Sequence, residues 1–320
     1  MSTNEWSKLK KVIVGIADNA KIPTIEKSVR TVNYAHLDDI SNIKVGQYPK
    51  QIIDEANEDL EIFVDFLKSE SVEVVRPTAT DCAYYNYCPR DSVFVHGDRT
   101  IATPMPIRQR KNEWKAFSHH LKDPIDLSSD MPDSLYNLEC VGNKDVLALN
   151  ETSPAFDAAN VIRANDHALY LVSNSGNKLG AKILENAYPE LTINLLEGVY
   201  SYMHIDSTVA FLREGLMLLN PERIKSKDVL PLPFRNWDAI WCPGPTDIGY
   251  YGNYNNASRW INMNLFSINP NLVVLEKNQH SLRLELEKYN IDCAMLPTRH
   301  QRTLGGGFHC VTLDVEREMD

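Results

Sequence analysis

Short apolar runs alternate along this chain with one-sided helical stripes. Residues 10–16, Lys-Lys-Val-Ile-Val-Gly-Ile, read as a buried first strand. Over residues 51–70, Ile52, Ile53, Leu60, Phe63, Val64 and Leu67 fall on one face and predict an amphipathic helix. A strand over 72–75 follows it. Residues 92–95 and 100–102 read as paired strands about a turn at Gly97-Asp98. Residues 24–48 are mixed and polar, a long excursion. Residues 122–145, rich in Asp, Pro and Ser, predict a mobile surface loop. A pattern then recurs. Strands over 160–163 and 168–172, a helix over 178–187 and a strand over 191–195 are echoed by strands over 262–268 and 272–275, a helix over 279–289 and a strand over 292–296. Strand, strand, helix, strand, repeated, predicts an α/β ring of similar modules instead of one open parallel sheet.

Composition narrows the function. At 320 residues and 43% hydrophobic, the chain can bury a substantial core as one large domain or two ordinary ones. Its net charge of -10 disfavours nucleic acid as a partner and suits a small cation. The six cysteines are scattered without a framework spacing and read as reduced thiols. Neither an apolar signal core nor a run of membrane-spanning length is visible, so a soluble cytoplasmic protein is expected. Cys82, Cys88 and His96 lack zinc-ligand spacing, and no phosphate-cradling glycine loop follows a strand. Neither a metal nor a cofactor is therefore expected.

Four stretches can carry chemistry. Leu304-Gly305-Gly306-Gly307-Phe308-His309-Cys310 clears space with glycine before a thiol that opens an apparent strand. Met203-His204-Ile205-Asp206-Ser207, read as a strand, turns an imidazole and a carboxylate to one side. Phe156-Asp157-Ala158-Ala159 and Cys88-Pro89-Arg90-Asp91 each set an acid before an apolar strand. Taken singly, each has a plain structural reading: a buried cysteine, a structural histidine, a turn cap, an Arg-Asp pair at a strand start. Glu222-Arg223 follows a strand end and reads alone as solvated charge. His119-His120, after the polar Arg108-Gln109-Arg110-Lys111 run, reads as a solvated helix face. Together, a thiol, a histidine and several carboxylates in an acidic protein suit guanidinium chemistry. Carboxylates hold the planar cation, a thiolate attacks its carbon, and histidine protonates the leaving amine.

In this combination the chain resembles the amidinotransferases of the guanidino-group-modifying superfamily. The resemblance runs over nearly the whole chain, through Asn4-Glu5-Trp6, Cys88-Pro89-Arg90-Asp91 with Pro104-Met105-Pro106, Phe156-Asp157-Ala158-Ala159, Met203-His204-Ile205-Asp206, Asn220-Pro221-Glu222-Arg223 and the glycine-rich motif ending at Cys310. It implies a five-bladed α/β propeller of ββαβ modules, a pentein-type fold, as a single catalytic domain over residues 1–320. It also implies a ping-pong reaction. Arginine donates its amidino group to the cysteine, ornithine leaves, and an amine collects the group. By matching motifs, Cys310 is the nucleophile, His204 the general acid/base, and Asp157 its orienting acid. Asp91 and Asp206 bind guanidinium nitrogens, Arg223 the substrate carboxylate, and Ser258 contacts substrate.

The sequence departs from the family pattern at Asn160, where a second acid is usual and local support is expected to weaken, and at Ala257, where a second serine is common. The loop before Met203 (Val199-Tyr200-Ser201-Tyr202) also differs from the glycine-using type. With Met203 as part of the wall and no evident basic cluster in the matched motifs, a small primary amine is expected as acceptor over a large phosphorylated sugar amine. The expected partners are thus L-arginine and that amine, with a homodimer possible. An arginine deiminase or dihydrolase using water as acceptor, and a guanidino-compound binder without catalysis, are the alternatives. A papain-type hydrolase fits worst, because its cysteine precedes its histidine.

Overall fold

The structure is a computed structural model and describes residues 1–81, 83–200 and 203–319. Cys82, Ser201 and Tyr202, which entered the sequence reading, lie outside these. Among the described residues, five three-stranded sheets follow one rule: the middle strand pairs antiparallel on one side and parallel on the other. That is the ββαβ module, and its repetition gives the five-bladed α/β propeller expected from sequence. An antiparallel pair needs only a tight turn, such as Gly97 at φ +62° between Val93–His96 and Arg99–Ala102. A parallel partner needs a crossover, which the helices supply.

The helix Lys50–Ser69 is the clearest crossover. Ile52, Ala56, Leu60, Phe63, Val64 and Leu67 are buried along one stripe, as their spacing dictates. Lys178–Ala187 and His280–Glu287 do the same in the third and fifth blades. The second and fourth blades cross over through short turns and the four-residue helix Leu232–Arg235. The first blade is closed by the chain's last strand, Thr312–Arg317, which pairs antiparallel with Leu9–Val14. A buried ionic cluster fastens this closure. Arg163 reaches Glu5 at 2.8 Å and Asp314 at 2.6 Å, and Asp314 also receives Arg90 and Arg317.

Several expectations are corrected. Residues 122–145 are no bare surface loop. Ile125–Asp126 completes the second sheet, and Leu135, Tyr136 and Cys140 are buried. The strand expected over 262–268 begins only at Phe266, after the 3-10 turn Arg259–Met263. His204 and Asp206 do not share a strand: His204 precedes the 3-10 turn Ile205–Ser207. Cys310 lies in a turn, and its strand begins two residues later at Thr312. Arg90 and Asp91 do not pair with each other, since Arg90 bonds Asp314 and Asp91 bonds Arg110.

These corrections expose the principle that positions the site. Each blade's entering strand is preceded by a short turn. Those turns carry Asp91 before Val93–His96, Asp157 before Val161–Ala164, and His204 with Asp206 before Val209–Arg213. Ser258 and Asn264 bracket the turn before Phe266–Asn269, and Cys310 precedes Thr312–Arg317.

Candidate active site

The blade-entry turns converge on a cavity of about 500 Å³. Met203, His204, Asp206, Arg223, Ser258 and Cys310 line it. Asp91 and Asp157 stand behind His204. Asp157 Oδ2 meets His204 Nε2 at 2.9 Å, and Asp91 Oδ1 lies 3.7 Å from Nδ1 of the same ring. All the candidates named from sequence are therefore in or directly behind one cavity.

Cys310 sits at its floor, 1% exposed. Its Sγ lies 3.1 Å from Asp206 Oδ2 and accepts a hydrogen bond from Asn264 Nδ2 at 3.2 Å. The hydrogen bond to Cys88, then burial and the charge of Asp206, push the thiol well above its ordinary range, while contact with His204 pulls it down. Burial alone would discharge His204, but the charge of Asp91 and hydrogen bonds to Asp157 and Cys310 outweigh it, so the imidazole titrates well above its usual value. Asp157 is raised by burial, against the pull of His204 and Arg110. Burial would raise Asp206 too, but His309 at 3.1 Å, together with His204 and the thiol, holds it well below the carboxylate range.

Two carboxylate oxygens, Asp91 Oδ1 and Asp157 Oδ1, are buried with no hydrogen-bond partner among the described residues. A buried acceptor left so is costly unless a donor arrives. Arg223 donates to Ser207 O, Ser207 Oγ and Thr208 Oγ1, and burial lowers it to about 10. Ser258 caps its turn by accepting from Trp260 N at 3.3 Å. Met203 packs on the main apolar cluster while facing the cavity.

Asn160 does not weaken its loop. Its Nδ2 donates to Ser175 O and Oγ at 2.9 Å each, and its Oδ1 accepts from Ser173 Oγ at 2.8 Å. Asp157 N bonds Ser175 O, so the amide braces the Asp157 turn in an acid's place.

Sequence reading missed three features. Arg110, passed over as part of a polar run, is 2% exposed and bonds Asp91 Oδ2 at 2.8 Å and Glu113 Oε2 at 2.8 Å. In the fold the rings of Tyr84 and Tyr85 face its guanidinium. Asn33, Tyr34 and His36 of the polar excursion form cavity wall. Asn264 grips the cysteine turn, and nothing in its local sequence announces it.

Comparison with known proteins decides the family. No family model matches the chain. It is 37% identical to an inosamine-phosphate amidinotransferase of Streptomyces glaucescens, over 98% of this chain and 95% of that one. The chain belongs to the amidinotransferase family. The inosamine-phosphate amidinotransferase of Streptomyces griseus superposes with a TM-score of 0.93 at 37% identity, covering 100% of this chain and 97% of that one. An L-arginine:L-lysine amidinotransferase of Pseudomonas savastanoi pv. phaseolicola is 28% identical, over 99% of this chain and 94% of its own. As an amidinotransferase, the protein is an enzyme that transfers amidino groups. Its relatives act on small molecules, and among the described residues no helix is long and apolar enough to cross a membrane.

Proposed function

We propose that this amidinotransferase takes the amidino group of L-arginine onto Cys310, releases L-ornithine, and passes the group to a primary amine. The unpartnered, buried oxygens of Asp91 and Asp157, beside His204 and the Cys310 turn, carry the reading. They give a guanidinium two charge-assisted acceptors, and Asp206 supplies a third carboxylate. The bound cation offsets the negative field that holds the Cys310 proton, so arginine binding releases that proton to solvent and leaves a thiolate beside protonated His204.

The steps balance. Cys310 thiolate attacks the guanidinium carbon, and the bond from that carbon to the ornithine nitrogen breaks. Protonated His204 gives its proton to the departing amine, leaving a cationic amidino-cysteine. The neutral acceptor amine then attacks the same carbon, His204 takes a proton from it, and the thiolate leaves. Asp157 keeps His204 oriented throughout. Arg223 holds the arginine carboxylate, with Ser258 at the same wall.

For the acceptor, the compact-amine reading gains support from charge balance. The matched motifs contain no basic cluster, but the folded cavity mouth does hold arginines. Arg259 and Arg302 line it, each already matched, by Glu222 at 2.8 Å and Asp247 at 2.7 Å. A second reading, a phosphorylated aminocyclitol acceptor, is favoured by the named Streptomyces relatives and by those same arginines, should they exchange partners. An acceptor screen with arginine as donor tests both. Glycine or lysine outpacing an inosamine phosphate supports the first, and the reverse overturns it. Citrulline or ammonia formed from arginine alone would instead support the hydrolytic alternative.

A further inference from the structure

Asn264 is buried, 3% exposed, and its side chain is spent entirely on the cysteine turn. Its Oδ1 accepts two backbone N–H groups, from His309 at 2.9 Å and Cys310 at 3.1 Å. Its own carbonyl accepts Phe308 N at 3.1 Å. Those donors fix the amide's orientation. Reversed, its NH₂ would face two N–H groups, so Nδ2 has to face the sulfur, where it lies 3.2 Å from Cys310 Sγ. The approach is so close that a Cβ on Gly307 would come within 2.8 Å of Asn264 Cβ and Oδ1. The last glycine of the run before the cysteine makes room for this amide.

The sulfur sits between an acceptor and donors. As a thiol it satisfies Asp206 Oδ2 at 3.1 Å. As a thiolate it faces that carboxylate as a like charge and needs donors. Cys88 and His204 also make hydrogen bonds to Cys310. His204 is the group that gives up its proton during turnover, and the hydrogen bond to Cys88 raises the Cys310 thiol instead of supporting its thiolate. Asn264 neither gains nor loses a proton, so its N–H persists through both half-reactions.

We infer that Asn264 is a catalytic residue of the transfer, holding the Cys310 thiolate through its Nδ2–H while its Oδ1 fixes the turn that presents the sulfur. The inference rests on Cys310 being the nucleophile.

Two variants separate the roles. Asn264→Asp keeps the acceptor for His309 and Cys310 N–H but loses the donor. Asn264→Ala loses both without adding charge. The readout is the pH dependence of iodoacetamide alkylation at Cys310, followed by peptide mass mapping, beside kcat/KM for transfer and the melting temperature. Both variants are expected to move the alkylation midpoint up by about one pH unit or more. Transfer is expected to fall about 10- to 100-fold, the loss of one hydrogen bond to a charged atom. Asn264→Asp should melt closer to wild type than Asn264→Ala. If Asn264→Asp does not fold, Asn264→Ala alone decides. An unshifted midpoint with wild-type kcat/KM in a folded variant overturns the inference. Undiminished transfer by Cys310→Ala would overturn the nucleophile assignment instead.

Discussion

Asp157 Oδ2 holds His204 Nε2 at 2.9 Å in a setting where Asp157 is wholly buried. The pair fixes the ring and raises its proton affinity, with Asp91 acting from the other nitrogen. Asp157→Asn should therefore lower kcat by about 10²- to 10⁴-fold, the range for a positioned acid/base. The protonated ring is needed in the first half-reaction, so activity is lost as pH rises through the His204 pKa. In the variant that alkaline limb should move to lower pH, as a pH profile of kcat/KM would show.

The same shifts govern stability. The raised His204 value stabilises the fold fully below the ordinary histidine pKa, and this is lost as pH rises through the folded value. The depressed Asp206 stabilises above its ordinary value and loses this as pH falls. His204→Gln should flatten the alkaline decline in melting temperature, and Asp206→Asn the acid decline. Unchanged limbs in both variants would contradict these assignments.

Arg110, 2% exposed, stands between Asp91 and Glu113. Glu113 is pushed up to about 7 by burial even with Arg110 beside it. Arg110→Ala strands both acids and should cost about 3 to 5 kcal/mol in denaturant unfolding. Arg110→Lys cannot fork to both acids and should fall between the two.

On the proposed binding of the guanidinium by Asp91 and Asp206, Asp91→Asn and Asp206→Asn each remove a carboxylate charge that stabilises the substrate cation. Each should cost about 2 to 4 kcal/mol in kcat/KM. Arg223→Ala should instead raise KM for arginine while decarboxylated arginine, which lacks the carboxylate, is used equally by variant and wild type. A variant that discriminates between the two donors as wild type does would remove Arg223 from that role.

Much of this was legible because chemistry-bearing residues sit in short motifs next to apolar strands. Periodicity only hinted at the repeating modules, and the five blades came from the family resemblance, but the 51–70 helix followed from periodicity. The turns did not. His204 and Asp206 alternate as a strand would, yet Ile205–Ser207 folds as a 3-10 turn, so local pattern gave the right pair by the wrong geometry. Arg110 lies among Arg108, Gln109 and Lys111, and its burial rests on Glu113 three residues on and on Asp91, 19 residues away. Asn264 was invisible for the same reason: its partners are His309 and Cys310, 45 and 46 residues away. Contacts between blades carry the supporting groups, and periodicity within a blade cannot report them.

The central claim is covalent transfer through Cys310, and intact-mass measurement tests it most directly. Incubated with L-arginine and no acceptor, the protein should gain the mass of one amidino group, located at Cys310 by peptide mapping and discharged on adding a competent amine. Cys310→Ala should show neither adduct nor transfer. Continued transfer by Cys310→Ala, or an adduct on another residue that is passed to the acceptor, would contradict the account.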